Sequence, residues 1–138
     1  MPGRSAPRPR RSGCPLNAFL EVLGDPWALL VVRDLLFRAK RTYGEFLRGG
    51  EGVATNILAR RLRLLQDHGI VEATLDPRDA RRAVYRLTEK GLELAPVLVE
   101  MILWGAKHFS TDAPASEVRK MNRDREAYVA ELRRRYAR

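Results

Sequence analysis

Three polar side chains between residues 55 and 68 have the chemistry needed to read DNA bases. Asn56 can form paired hydrogen bonds with adenine, and Arg60 and Arg63 can do so with guanine. On a helix that turns about 100° per residue, the three fall within about 60° of one another. Leucines occupy the opposite face, at positions 58, 62 and 65. The segment therefore predicts a helix that buries leucine and presents a base-reading face, with a merely solvated face as the alternative.

Four further residues border this predicted DNA-contact surface. Thr55 begins the helix and Ala59 lies at the edge of its polar face, so we include both. Thr42 and Tyr43 come at the start of a short helix just upstream, where they could donate hydrogen bonds to a phosphate. A helix cap and a packed ring are the equally weighted alternative for these two residues.

A second basic cluster lies between two predicted strands, in residues 76–82. It contains Arg78, Arg81 and Arg82, interspersed with Asp76 and Asp79. A charged turn of this kind is typical of a hairpin wing, whose arginines contact phosphates or enter the adjacent minor groove. Asp79 weakens the local positive field and can instead pair with one arginine. We expect DNA contact from the arginines as a group.

The single cysteine, Cys14, is a candidate sensor of oxidants or electrophiles. It precedes Pro15 at a predicted helix N-terminus, close in sequence to Arg10 and Arg11. Both features favour the reactive thiolate. Because the chain has one cysteine, a redox switch needs a disulfide between subunits or a small-molecule thiol cap. The alternative is a small residue packed at a helix start.

Little in the sequence indicates catalysis. His68 and His108 lie in separate predicted helices, without a metal-ligand spacing or a group that would orient a Cys–His pair. The glycine-rich residues 49–52 lack the Lys and Ser/Thr that complete a phosphate-binding loop. We predict no enzymatic activity, no metal site and no cofactor.

Composition indicates one globular domain with basic ends. The chain has 138 residues, 45% apolar and 31% charged, and a formal charge of +9. Residues 1–14 carry four arginines and no acid, and residues 115–138 carry eight basic against four acidic side chains. This balance favours a nucleic acid partner. No apolar run approaches the ~20 residues of a membrane span, no secretory signal is recognisable, and one cysteine is too few for a disulfide scaffold or a zinc finger.

Caps and periodicity predict the helices that position these groups. Asp25 fits an N-cap with Pro26 as the first helical residue, Thr42 and Glu45 have capping-box spacing, and Gly69 stops the helix before it. The predicted helices cover residues 15–23, 27–37, 43–48, 55–68, 88–109 and 116–138. Apolar positions in register on the last two helices are Leu94, Val97, Leu98, Met101 and Trp104, then Val118, Met121, Tyr128, Leu132 and Tyr136.

Strands are predicted at residues 70–75 and 83–87, joined by the charged turn. The element order predicts a mainly α fold with a small antiparallel β-wing, a winged helix-turn-helix with helical extensions at both ends. We divide the chain into a disordered basic arm (1–13), a winged helix-turn-helix DNA-binding domain (14–109) and a C-terminal helical extension (115–138). The extension would either widen a dimer interface, as its apolar stripe favours, or lie on DNA.

From Cys14 to Trp104 the sequence resembles the HxlR-type winged-helix transcriptional regulators, a group close to MarR. The matching segments are 14–15, 24–30, 33–37, 43–46, 58–65 and 87–91. Two departures are Pro26, where the family usually has Lys, and Ala54-Thr55 in place of Ser-Pro. The second departure changes the cap of the predicted recognition helix.

The resemblance implies a bacterial, cytoplasmic homodimer that binds a pseudo-palindromic operator, with helices from both chain ends as N- and C-terminal dimerisation helices. In some relatives the cysteine that matches Cys14 senses oxidants, and an unidentified small-molecule effector is possible. We expect a dimeric, sequence-specific transcriptional regulator that binds double-stranded DNA. The alternatives are a winged-helix protein-interaction module and a nonspecific architectural DNA binder.

Overall fold

The computed structural model describes residues 9–137. Its helices are α1 (Pro15–Leu23), α2 (Ala28–Phe37), α3 (Tyr43–Leu47), α4 (Thr55–Asp67), α5 (Glu89–Leu92), α6 (Ala95–His108), α7 (Ala115–Arg123) and α8 (Arg125–Ala137). Antiparallel strands β1 (Val71–Asp76) and β2 (Asp79–Leu87) form a hairpin between α4 and α5. The predicted mainly α fold with a small β-wing is confirmed. Of the predicted basic arm, residues 1–8 lie outside the described residues.

Helix α2 is the central core helix, as its apolar sequence predicts. The Asp25 carboxylate accepts the N–H groups of Trp27 at 2.8 Å and Ala28 at 3.0 Å, which caps the helix start. Val32 and Leu35 are fully buried against the neighbouring helices. The predicted apolar face of α4 packs into the same core through Leu58, Leu62 and Leu65.

The hairpin turn is shorter than the sequence predicts. Strand β2 begins at Asp79, so residues 77 and 78 form the turn and Arg81 and Arg82 lie on the strand. The Asp76 carboxylate accepts the Arg78 N–H at 2.9 Å, which closes a tight turn. The register then shifts between Leu75 and Asp76, because Leu75 pairs with Ala83 and Asp76 with Asp79. The extra residues are accommodated as an irregularity within β2.

Each of the two long helices predicted at the C-terminal end is divided in two. Pro96 stands in the first turn of α6 and has no N–H to donate to the preceding turn, so α5 ends at Leu92 and a new helix begins at Ala95. Asp124 is extended, with φ −159° and ψ 97°, and its carboxylate accepts the Ala127 N–H at 3.0 Å. It thereby ends α7 and caps α8.

The apolar positions predicted in register on the C-terminal helices are not all buried in the core. Leu132 and Tyr136 of α8 are buried in the core of this chain, so the extension packs against its own chain. Met101 and Trp104 of α6 are 52% and 60% exposed. Periodicity predicts an apolar face but does not say what covers it.

In the described part of the chain, no single helix is long and apolar enough to cross a membrane. Helices α1 and α2 reach that length and composition only when taken together, as a pair bent by 83°.

Candidate nucleic-acid interface

Helix α4 projects its polar residues away from the core. Asn56, Arg60 and Arg63 are exposed, whereas the leucines opposite them are no more than 2% exposed. Arg63 donates to Asp67 at 3.2 Å across one turn, in a pair open to solvent. No residue of 9–137 forms an ion pair or side-chain hydrogen bond with Arg60. The helix thus offers two guanidinium groups and an amide on one rigidly mounted face.

The start of α4 has unsatisfied backbone donors. Ala54 occupies the cap position and supplies no side-chain hydrogen bond, in keeping with the predicted change of cap. The N–H groups of the first helical turn therefore lack a helix partner, and they make this end favourable for an anion. Thr55 and Ala59 are both exposed, as expected for residues that begin or border the polar face of α4.

Tyr43 joins helix α3 to α4, and Thr42 caps α3. The Tyr43 hydroxyl donates to the Thr55 carbonyl at 2.7 Å. The Thr42 hydroxyl accepts the Glu45 N–H at 3.3 Å, and the Glu45 carboxylate accepts the Thr42 N–H at 3.2 Å, which forms the predicted capping box. Burial raises the pKa of Glu45, but hydrogen bonds from Thr42 and from the Arg41 N–H outweigh it and lower that pKa overall. Both hydroxyls thus have the capping and packing roles, and their contact with DNA stays a prediction.

The turn between α3 and α4 is fastened to α2 by an ionic network that sequence reasoning missed. Arg33 binds both carboxylate oxygens of Glu51 at 2.7 Å, a bidentate pair that lowers the pKa of Glu51 and raises that of Arg33. Buried Asp34 binds Arg33 at 2.9 Å, and Arg38 donates to the Gly49 carbonyl at 2.8 Å. Arg33 and Glu51 are 18 residues apart, so no local pattern pairs them.

Gly49 allows this turn to approach α2 closely. A Cβ atom at Gly49 would lie 2.8 Å from a carboxylate oxygen of Asp34, closer than such atoms can pack. The neighbouring Gly50 and Gly52 have φ of +104° and +73°, which glycine adopts without strain. The glycine-rich stretch therefore fixes the angle between α3 and α4.

Two of the three wing arginines are bound to acids of the wing itself. Arg82 donates to the buried Asp76 carboxylate at 2.6 and 3.0 Å. The Arg78 N–H and the Arg82 guanidinium lower the pKa of Asp76, which in turn raises the pKa of Arg82. Arg81 lies 3.4 Å from Asp79, the acid that we expected to pair with one arginine, and is 93% exposed. Within residues 9–137, the guanidinium of Arg78 forms no ion pair or hydrogen bond.

The remaining residues considered from the sequence are Cys14 and the two histidines, His68 and His108. Cys14 is exposed at the cap position of α1, and its side chain makes no capping hydrogen bond. The His68 carbonyl accepts a hydrogen bond from the Lys90 ammonium group at 2.6 Å. The ring of His108 packs against that of Trp104, with 4.7 Å between the ring centres. No cluster of metal-ligating side chains occurs in the part of the chain that the structure describes.

A helix-turn-helix unit followed by a two-stranded wing, with a basic polar face on its second helix, defines the class of winged helix-turn-helix regulators. Residues 22–113 match the model of the HxlR-like helix-turn-helix family. The chain belongs to this family.

Relatives and solved structures agree with this assignment. The HTH-type transcriptional regulator sll1512 of Synechocystis is 38% identical over 88 residues, which are 64% of this chain and 64% of that relative. The chain thus spans less than two thirds of that curated relative's length. The crystal structure of the transcription factor PA1607 has a TM-score of 0.67 and 39% identity, over 77% of this chain and 72% of that one. The redox regulator HypR in its oxidised form has a TM-score of 0.61 and 27% identity, over 71% and 100%.

These relatives are transcriptional regulators of the helix-turn-helix type and not enzymes, which confirms the prediction that the chain is no enzyme. Residues 22–113 of the chain form a helix-turn-helix domain of the HxlR-like type.

Proposed function

We propose that the protein is a homodimeric, sequence-specific DNA-binding regulator that acts on a pseudo-palindromic operator in the bacterial cytoplasm. The observation that carries the proposal is the exposed face of Asn56, Arg60 and Arg63 on a helix whose opposite side is locked into the core. An α-helix fits the major groove of B-DNA, where amide and guanidinium groups distinguish adenine and guanine. Helix α4 is the recognition helix in this proposal.

Contacts with the DNA backbone orient that helix. The free N–H groups at the start of α4, together with Thr55, are placed to bind one phosphate. Arg78 at the tip of the wing reaches a flanking phosphate or the minor groove, and exposed Arg81 adds a weaker contact. Arg82 acts mainly within the wing, because Asp76 holds its guanidinium. Ala59 lies where α4 faces the groove.

A second copy of the chain covers the exposed apolar residues of α1 and α6. Leu16 and Leu20 on α1 and Met101 and Trp104 on α6 are each between 48% and 64% exposed. Large apolar side chains concentrated on two helices are typical of an interface. Two-fold symmetry then requires inverted half-sites separated by about one helical turn of DNA, or a multiple of it.

Cys14 is the proposed sensor. Its exposed thiol at a helix start is accessible to oxidants, and HypR, a structural relative, is a redox regulator. With one cysteine per chain, oxidation would join Cys14 of two subunits or attach a small thiol. Replacement of Cys14 with Ser should make DNA binding insensitive to diamide, whereas unchanged inhibition in that variant would exclude this role.

Selection from a random double-stranded DNA library at physiological salt tests the function directly. A sequence-specific dimer selects an inverted repeat. Binding without a motif would favour the architectural alternative, in which the arginine-rich N-terminus dominates and deletion of residues 1–13 removes most affinity. Absence of binding by the reduced protein, with and without diamide treatment, would favour the protein-interaction alternative.

A further inference from the structure

The C-terminal helix α8 reaches the base of the wing. Tyr136, near the end of α8, is 8% exposed, and its hydroxyl accepts the Leu87 N–H at 2.6 Å. Leu87 is the last residue of β2, so a contact across 49 residues of sequence fixes the point where the wing leaves the core.

This hydrogen bond lies on the outer edge of β2, at the end of the strand. Residues two apart on a strand point their N–H groups to the same side. The Tyr85 N–H donates to the Arg41 carbonyl at 2.8 Å, and the Leu87 N–H donates to Tyr136. Arg41 and Tyr136 thus serve in place of a third strand, and only Tyr136 does so with a side chain.

Tyr136 is itself held firmly. The Arg41 guanidinium lies 4.7 Å from the centre of the Tyr136 ring, and it also donates to the Leu35 carbonyl at 2.8 Å. One turn earlier, Arg133 forms an ion pair with Glu89, immediately beyond the wing. The end of α8 is therefore anchored on both sides of its contact with β2.

We propose that Tyr136 is a positioning residue that sets the direction of the wing relative to α4, and so the contribution of Arg78 to DNA affinity. A two-stranded hairpin is only marginally stable alone and takes its orientation from contacts at its base. Tyr136 lies outside residues 22–113, the part matched by the family model. The extension thereby has a task in this chain that the shared domain does not provide. The consequence for DNA rests on the proposed function.

Hydrogen exchange measured by NMR tests the contact without DNA. Tyr136→Phe keeps the ring but removes the hydroxyl, so the Leu87 amide should exchange roughly 3- to 10-fold faster, the equivalent of one hydrogen bond. Amides of α2 should be unaffected. Tyr128→Phe is the matched control, because the Tyr128 hydroxyl lies on the same helix and donates instead to Glu117 of α7 at 3.0 Å. Unchanged exchange at Leu87, or equal acceleration in both variants, would overturn the proposal.

A double-mutant cycle with Arg78→Ala tests the effect on DNA binding. Tyr136→Phe should weaken operator binding about 3-fold, less than the loss of a whole phosphate contact, when Arg78 is present. It should have a smaller effect in the Arg78→Ala background, because a misdirected wing then has only the weaker Arg81 contact to lose. Equal weakening in both backgrounds would contradict a role through the wing. If the wild-type protein binds no DNA, the proposed function fails, while the exchange experiment still decides whether Tyr136 holds the wing.

Discussion

Helix α4 and the wing each carry basic side chains aimed at solvent, but they hold them differently. On α4, Arg60 has no ion-pair partner among residues 9–137, and Arg63 has only an exposed one. On the wing, Asp76 binds Arg82 and Asp79 binds Arg81. Asp67 compensates one of the two arginines on the polar face of α4, whereas two acids compensate two of the three on the wing, so the additional wing arginine gives a partner no additional positive charge.

The two regions also differ in what supports them. Three buried leucines fix α4 in the core, and the Arg33–Glu51 pair fastens the turn that precedes it. The wing depends on contacts at its base. Base discrimination requires accurately held donors, so we expect α4 to provide specificity and the wing to add affinity.

The largest effect should come from removing the cationic groups of α4. Arg60→Ala with Arg63→Ala removes four side chains from a dimer. At about 1–3 kcal/mol for each bidentate base contact, operator affinity should fall at least about 1,000-fold. Fluorescence anisotropy at fixed salt measures this loss.

The matched control is Arg119→Ala with Arg123→Ala, which removes the same charge from the exposed surface of α7. We expect that variant to bind within a few-fold of wild type. Equal losses in the two double variants would mean that total charge, and not the face of α4, determines binding.

Loss of the second subunit should affect both regions together. Leu16→Asp places a charge in the proposed dimer interface, so the protein should sediment as a monomer at micromolar concentration. A monomer engages one half-site, and affinity for the inverted repeat should fall roughly 100-fold. Leu75→Asp is the control, since Leu75 on the wing is equally exposed, at 64%. A dimeric Leu16→Asp protein would exclude α1 from the interface.

Among single arginine variants of the wing, the loss of DNA affinity should be larger for an arginine without an ion-pair partner than for a paired one. Arg78→Ala should weaken binding about 3- to 10-fold for all sequences and make the dependence on salt shallower, as loss of a phosphate contact does. Arg81→Ala should have a smaller effect because Asp79 already compensates part of its charge. Affinities measured from 50 to 200 mM salt provide the ranking, and a larger loss for Arg81→Ala would reverse the comparison.

The smallest effect concerns the ion pair inside the wing. Because the Arg78 N–H and Arg82 lower the pKa of folded Asp76, its contribution to stability is complete above the ordinary carboxyl pKa and is lost as the pH falls through the lowered value. Wild type should exceed Asp76→Asn in Tm at pH 7, and the gap should close on acidification. Asp112→Asn, in an exposed loop, should show no such gap. A gap that widens below pH 4 would contradict the assignment.

Local signals predicted the parts of the molecule that local chemistry determines. The capping box at Thr42 and Glu45 formed as its spacing predicts, and the leucines of α4 are buried where a helical period places them. The break at Pro96 was also visible in the sequence, but the surrounding apolar period concealed it. Asp124, like Asp25, is an aspartate just before a helix, which is a residue type that commonly caps helices, so the sequence could have identified it as a cap.

Contacts between distant residues could not be predicted in this way. The pairing of Arg33 with Glu51, and of Tyr136 with Leu87, depends on how helices meet in three dimensions. Apolar periodicity likewise placed Leu132 and Trp104 on apolar helix faces without distinguishing them, yet Leu132 is buried and Trp104 is exposed. The charge pattern of the wing identified its arginines but not which of them are neutralised.

The most direct test of base reading by α4 is to repeat the library selection with Arg60→Ala and compare its motif with that of the wild-type protein. The account predicts loss of base preference at one position in each half-site, with the half-site spacing unchanged, because the dimer and the wing remain intact. An unaltered motif would contradict it, since specificity would then arise elsewhere than on α4.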